Sequence, residues 1–569
     1  MKKFLLVVLV VFLTATVLAS FAACDKKGGE NLTLGIYNDG AKVTDLTQDG
    51  DNYYAKVKVD KTTSFAVVDG DGKSHTVTME ASADEYTVVA LKESGSYKVE
   101  AWPKKRAVIW VAALLAGGFY DPNVTDYDEN GEEIIVGKPV WDPLPIDDVK
   151  LIDYINPDQM MNAVKKLIPT LLPLLPDLLY PVLEGEEDKT NLIWNLSLNG
   201  KGEPNNPDLI PANGVDHRVK YGVLSAYQDH AEALAELLKD TDTDSAVFNY
   251  DWRMDNRSSV NALQKYIYDN KYTDVVLFSH SLGGNIVAGY LAQNSLNRTL
   301  VKRYVSFGGA FLGSFDALFA IENTMDYLSA VMANMGLDLE SMTSMLPGNF
   351  IENLKKKYDL DAVLQSLQNM LVNMYSFPQL VPTFDLISGK QYGENGDGVA
   401  ITVDGKAITT EADLYAFYES RPWAWQRDEN NEYVYDANGK HVVRQVVKEL
   451  KQYHDSLYVH NADGSRTFST MLVDTYYVTG TNILTFCGAD YVGEGEDATL
   501  EYRTTMNGDK QVLLYSTLVN QDPEDIEEGK LITIPDKDHF QVGCDFALVG
   551  DIVIENVNEV FFPDQESND

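Results

Sequence analysis

The chain predicts an α/β fold: a largely parallel sheet flanked by helices, carrying a helical cap and preceded by a small β-sandwich. Three observations lead there. Val275-Val276-Leu277-Phe278 is a short apolar run that passes through Ser279-His280-Ser281-Leu282-Gly283-Gly284 into the apolar stretch Asn285 to Leu291, and reads as buried strand, sharp turn and helix. Residues 30 to about 102 alternate with period two instead, as in Tyr53-Tyr54-Ala55-Lys56-Val57-Lys58-Val59, with Asp-Gly turns such as Asp69-Gly70-Asp71-Gly72 between the runs; short strands at that spacing make a sandwich. Long segments near 157–184 and 316–470 interrupt the α/β pattern and read as cap insertions. The strand–turn–helix is the G-x-S-x-G nucleophile elbow of an α/β-hydrolase, with Ser279 in place of the first glycine. A bulky side chain at Ser279 or Gly283 would collide with the neighbouring strand or helix. The helix that follows can offer the Leu282 N–H to an oxyanion.

The first residues are a leader rather than fold. Lys2-Lys3 precede an apolar region from Phe4 to Leu18, and Phe21-Ala22-Ala23-Cys24 places small residues before a cysteine in the manner of a bacterial lipobox. This predicts cleavage after residue 23, a lipid on the Cys24 sulfur, and an exported lipoprotein facing outside the cell membrane, with residues 24–102 as tether and sandwich and 103–569 as the hydrolase domain. No other stretch is apolar and long enough to span a bilayer. The net charge of −40 argues against nucleic acid and against broad attraction to anionic lipid. Cys487 and Cys544 remain as candidates for a disulfide, which export would permit.

The hydrolase domain opens with the apolar run Arg106 to Val111. A serine nucleophile needs a base, and the base an orienting acid, in the chain order Ser, Asp/Glu, His for this fold. Of the eight histidines, His75, His217 and His230 precede Ser281 and His280 lies in the elbow. His441, His454 and His460 fall in a polar, turn-rich stretch that reads as insertion. His539 remains, after the short strand Leu531-Ile532-Thr533-Ile534. The acid should follow a strand between the two, and Thr475 to Thr481 is the best such strand. Asp509, after a glycine and before an apolar run, is favoured by that context, with Asp490, nearer the strand end, as runner-up. The turn Asp126-Tyr127-Asp128-Glu129-Asn130-Gly131 fails as a calcium loop, because Gly137 stands where the bidentate glutamate belongs. No metal or cofactor is implied.

Several blocks, in order, resemble the lecithin:cholesterol acyltransferase family, which includes lysosomal phospholipase A2. They are Gly214-Val215-Asp216-His217-Arg218-Val219, Asn249-Tyr250-Asp251-Trp252-Arg253, Ser279 to Gly284, Val305 to Ser314, and Gly508-Asp509-Lys510-Gln511-Val512. The resemblance covers roughly 106–315 and 470–560. It implies Asp509 as the triad acid and His539 as the base, with Leu114 as second backbone donor of the oxyanion hole beside Leu282. The chain departs from the family's Pro-Gly after the first strand, where Gly117-Gly118 stand further on, and from its G-D-G-T-V. Trp252 and Arg253 read as structural beside the site.

The reaction expected is two-step acyl transfer from an ester through an acyl-Ser281, with water or an alcohol as acceptor. The substrate expected is a lipid acyl ester. The Leu/Pro-rich stretch 167–183 and the Met-rich stretch 312–376 (Met325, Met332, Met335, Met342, Met345, Met370) supply apolar surface that acyl chains would use, or plain core. Two other readings stay open: a carbohydrate or small-molecule carboxylesterase on the same triad, and an inactive surface-binding lipoprotein.

Overall fold

The computed structural model describes residues 35–38, 41–68, 73–123, 125–127, 133–135, 138–141, 192–199, 202–212, 226–324, 327, 368–388, 398–428, 432–493 and 498–563. Outside them lie the stretch expected to be a leader, with Cys24, the stretch 157–184, the block 214–219, and Met325, Met332, Met335, Met342 and Met345. Among the described residues no helix is long and apolar enough to cross a membrane.

The chain divides into two compact units. The first holds eight strands: β1 (Gly35–Asn38), β2 (Ala41–Asp45), β3 (Thr47–Asp49), β4 (Asn52–Val57), β5 (Thr63–Val68), β6 (Ser74–Met79), β7 (Tyr86–Glu93) and β8 (Ser96–Trp102). They form two four-stranded sheets, in the orders β2-β1-β5-β6 and β3-β4-β7-β8, paired antiparallel. The period-two alternation of the sequence has its cause here. In β5, Phe65 and Val67 are buried while their neighbours are not, and in β6 Val77 and Met79. Ile36, Val57 and Val88 join them in one core. Short segments 267–275 and 294–301 belong to this unit; Tyr268 meets Trp102 edge-on at 5.3 Å, and the Thr273 N–H donates to the Lys105 carbonyl at 2.9 Å.

The second unit is built on β9 (Arg106–Val111), α1 (Gln228–Leu238), β10 (Thr243–Phe248), α2 (Asn256–Asp269), β11 (Asp274–His280), α3 (Leu282–Gln293), β12 (Val301–Phe307) and α4 (Phe315–Glu322). It continues with β13 (Ala400–Val403), β14 (Lys406–Ala407), β15 (Thr475–Thr481), β16 (Thr485–Val492), β17 (Thr499–Thr505), β18 (Leu531–Pro535), α5 (His539–Cys544) and α6 (Phe546–Phe561). The central sheet runs β10-β9-β11-β12-β15-β18, and β15 lies parallel to both β12 and β18. Its inner strands are apolar almost throughout, as a sheet covered on both faces requires: β9 and β11 are buried from their second residue on. Trp110 stacks on Phe307 and Phe278 with centroids 5.1 and 5.6 Å away. Leu234 and Leu238 of α1 and Val549, Val553 and Val557 of α6 close that face. Helix α3 is buried all round, and a Cβ at Gly289 would stand 2.5 Å from Val260 of α2.

The topology fixes where a site belongs. After β9 the chain crosses to β10 on one side, then returns to β11 on the other, and the crevice outside the strand ends at such a switch is where α/β sheets bind ligands. A second four-stranded sheet, β14-β13-β16-β17, is built from β13 and β14 before β15 and from β16 and β17 after it; the last two carry the chain away before it returns to Asp509.

Because Ile36 is fully buried in a core drawn from few residues, Ile36→Ala should destabilise the first unit by about 2–5 kcal/mol. Calorimetry should show its transition moved to lower temperature; an unchanged transition would refute this account of the sandwich core.

Candidate active site

Ser281 sits between β11 and α3 with φ 54°, a left-handed conformation that costs a non-glycine residue on the order of 1–3 kcal/mol. The surroundings hold it there. Its N–H donates to the Phe307 carbonyl at 3.0 Å, and its carbonyl accepts from Gly284 at 2.9 Å and Ala310 at 3.4 Å. Gly283 makes the turn fit: a Cβ there would lie 2.5 and 2.6 Å from the Val111 and Ala112 carbonyl oxygens. The elbow therefore lies against the end of β9, and the turn that follows β9 is its neighbour. In that turn the Ala113 N–H is taken by the Tyr227 hydroxyl at 3.0 Å and the Ala116 N–H by the Ala113 carbonyl at 3.3 Å; neither bond uses Leu114. Leu282, first residue of α3, has no partner for its N–H within the helix.

His539 opens α5 after β18, and Asp538 caps that helix. Its Nδ1 and the Asp509 Oδ2 are 2.7 Å apart, with the acid fully buried. The His539 backbone N–H also donates to the Asp509 carbonyl at 2.7 Å, so the two residues are joined twice. Asp509 is fixed in turn by the N–H groups of Val512 at 2.8 Å and Gln511 at 3.2 Å. The lysine and glutamine that replace the family's glycine and threonine leave this turn closed, with Lys510 taking φ 89°. Burial would lower the His539 pKa, but the Asp509 charge and hydrogen bond outweigh it, and the net shift is upward. Nε2 is buried without a hydrogen-bond partner. Gly308, next to the residue that accepts the Ser281 N–H, has φ 54°, and a Cβ there would press on His539 Nδ1 at 2.9 Å and on Asp509 Oδ2 at 3.1 Å.

His280 supplies a connection that elimination of histidines along the chain hid. Its Nε2 meets the His539 carbonyl at 3.0 Å, and that carbonyl can only accept. Nε2 therefore carries the proton, and Nδ1 accepts from the Tyr227 hydroxyl at 2.8 Å. Burial, then the nearby His539, holds the imidazole neutral, well below its ordinary pKa. The result is a directed chain: Ala113 N–H to Tyr227, Tyr227 to His280, His280 to the His539 backbone. It links the turn after β9 to the residue that carries the base. A Cβ on Gly543 would stand 2.2 Å from the His280 ring, so α5 can seat only with glycine there. No sequence motif marks Tyr227.

Trp252 and Arg253 brace the same turn. The Trp252 indole N–H donates to the Gly117 carbonyl at 3.0 Å. Arg253 is 1% exposed, forks onto Asp251 at 2.8 and 2.7 Å and donates to the Asn195 carbonyl at 2.9 Å. Asp316, near the start of α4, was not marked by the sequence. Its carboxyl accepts from Tyr327 at 2.9 Å, and burial first of all pushes its pKa up to about 7, in the electrostatic neighbourhood of His539, Lys510 and Asp509.

Two sequence expectations change. Cys487 and Cys544 are not bonded; both are free and buried. Cys487 lies in β16 of the inserted sheet, whereas Cys544 ends α5 with its Sγ 3.8 Å from His280 Nδ1. Asp490, the other candidate acid, is in the same inserted strand, held by Arg503 at 2.9 Å and Thr402 at 2.7 Å. His454, in the stretch read as insertion, is buried, with Tyr415 at 2.8 Å and the Gln379 carbonyl at 3.2 Å.

A family model described as lecithin:cholesterol acyltransferase matches residues 222–525, a span that includes Ser281 and Asp509 and ends before His539. No curated protein sequence matches the chain. Among solved structures, a chain of the Tle4–Tli4 complex is 11% identical, covering 80% of this chain and 98% of its own, with a TM-score of 0.39. A marine microorganism esterase is 13% identical over 58% of this chain and 90% of its own, with a TM-score of 0.23. An E-2-(acetamidomethylene)succinate hydrolase is 11% identical over 58% and 85%, with a TM-score of 0.22.

The opposing causes at His539 can be separated. In histidine-labelled protein followed by NMR, the His539 ring should titrate above its ordinary value of about 6.5. Asp509→Asn removes the largest raising cause and leaves burial opposed only by the weaker pull of Asp538 and Asp316, so the midpoint should then fall. An unchanged midpoint would mean that Asp509 does not set it.

Proposed function

The chain belongs to the lecithin:cholesterol acyltransferase family, and from that premise we propose that it is a serine acylhydrolase or acyltransferase acting on acyl esters of lipids through Ser281, His539 and Asp509. Acyl-ester chemistry is what the family membership supports. The observation that carries the residue roles is the double link between His539 and Asp509 beside the strained serine turn, with His539 Nε2 left without a partner.

The chemistry follows from the groups present. His539 Nε2 takes the proton of Ser281 as its Oγ attacks the ester carbonyl. Asp509 holds the proton on Nδ1, so Nε2 is the basic nitrogen, and it stabilises the imidazolium that forms. The N–H groups of Leu282 and Leu114 receive the oxyanion. The imidazolium then protonates the departing alcohol, and the acyl-Ser281 is released by water or by a second alcohol that His539 deprotonates in the same way. Apart from this cycle, Tyr227 and His280 position His539 without touching substrate.

We further infer that Cys24 bears a lipid and holds the enzyme at the outer face of a membrane. The leader and the small residues before Cys24 support this, and an interfacial location suits a lipid substrate. Cys24→Ser should release the protein from the membrane fraction or leave an uncleaved precursor; mass spectrometry showing an unmodified Cys24 within a longer mature chain would refute it.

The catalytic reading is tested with p-nitrophenyl esters of graded chain length. Ser281→Ala should lose at least about 10⁴-fold in kcat, and Asp509→Asn about 10⁴-fold, both folded, while Asp490→Asn stays near wild type. Activity should rise from short to longer acyl chains, since each buried methylene adds about 0.8 kcal/mol. A profile that falls beyond acetate, with turnover of acetylated sugars, would move the assignment to a carbohydrate esterase. Full activity in Ser281→Ala would remove the triad altogether.

A further inference from the structure

We propose that a cavity of about 510 Å³ bounded by Arg421, Arg427, Arg444, Trp423 and Tyr433 binds an oxyanion, phosphate or carboxylate, carried by an organic ligand. The argument starts from Arg444. It is 6% exposed, donates from Nε to the Trp423 carbonyl at 3.1 Å and from Nη1 to the Asn373 side chain, and has no carboxylate partner among the described residues. A guanidinium does not shed its proton near neutral pH. Burial, then the neighbouring Arg427, does depress its pKa, to about 10, which leaves the charge in place. A buried cation without a counter-charge is costly.

The one acid among the described lining residues does not supply that counter-charge. Glu322, at the end of α4, already accepts from Arg421 at 2.8 and 3.2 Å, from the Trp423 indole at 2.9 Å and from the Tyr491 hydroxyl at 3.0 Å. Arg421 thus occupies Glu322, and Arg444 is left with no acid among the described lining residues. Arginine forks match phosphate and carboxylate oxygens two at a time. The volume exceeds what a bare anion fills, and Trp423, Tyr433, Val372 and Leu500 give it apolar wall, so the ligand has a carbon part.

Helix α4 carries Glu322 of the cavity wall at its end and Asp316, whose charge His539 influences, near its start. The alcohol part of an ester substrate is one carrier of such an anion; that link rests on the acyl-ester reading, and the binding itself does not.

The test titrates the full chain, in non-ionic detergent, with inorganic phosphate and with glycerol 3-phosphate, read by calorimetry and by the shift in Tm. Wild type should give saturable binding of the phosphate ester, weakened at least tenfold in Arg444→Met; if that variant does not fold, Arg444→Lys, which loses the fork, is read instead. Ser281→Ala should bind as wild type does, so failure of the catalytic reading leaves this one standing. Two sources of the anion are then separated by kcat/KM on phosphatidylglycerol and on diacylglycerol in mixed micelles. A tenfold loss in Arg444→Met on the first alone assigns the anion to the substrate headgroup. No change on either, with phosphate-ester binding lost, assigns it to a separate ligand. Absence of saturable binding in wild type, or affinity within twofold in the Arg444 variant, overturns the site and leaves Arg444 a strut between Trp423 and Asn373.

Discussion

The rest of the site depends on one close approach: the backbone of Gly283 lies so near the Val111 and Ala112 carbonyls that no Cβ fits. That contact brings the start of α3 against the end of β9, at the switch point of the sheet. Ser281, at the turn between β11 and α3, takes a left-handed conformation. The strain there persists because the hydrogen bonds to Phe307, Ala310 and Gly284 over-determine it. The elbow is thus a product of two strands and a helix, rather than a property of five residues.

Asp509 and His539 are brought together by a second economy of backbone. Gly308 and Gly480 leave room for Asp509 and the loop before His539, and a main-chain bond joins the two residues besides the side-chain one. The hydrogen bonds through Tyr227 and His280 extend this register to the turn after β9. Each member is buried and each has a defined direction, so displacing one end carries a cost at the other. Trp252 holds the same turn from the opposite side through Gly117. The block of residues that resembles the family most specifically is therefore a brace for the turn after β9, at one remove from any substrate.

The charge distribution follows a different logic at the two ends of α4. At its start, Asp316 is a carboxyl whose burial favours the neutral form, close to a histidine that its own ionisation would favour in the charged form. At its end, Glu322 is saturated by donors and Arg444 nearby is not balanced. One eight-residue helix therefore joins the neighbourhood of the base to a cationic cavity.

Much was legible in the sequence. The apolar strand before Ser281 and the small residues after it predict the elbow because steric exclusion at that turn leaves few alternatives. The order Ser, Asp, His along the chain singles out His539, and period-two alternation predicts the sandwich strands, since side chains of a strand must alternate between core and solvent. The place of Asp509 after a glycine and before an apolar run favours it over Asp490, and the family resemblance supports it independently. Only the tertiary structure shows that an inserted sheet carries Asp490 to Arg503 and returns the chain to His539. The same insertion separates Cys487 from Cys544. Tyr227, Asp316 and Arg444 carry no signature in sequence, and His280 lies inside the elbow motif without its role being visible there, because Tyr227 and His280 meet across 53 residues, and His280 and His539 across 259, in the buried interior. Local pattern decides which elements form; which polar groups then find partners, and which are left without, is decided only when those elements pack.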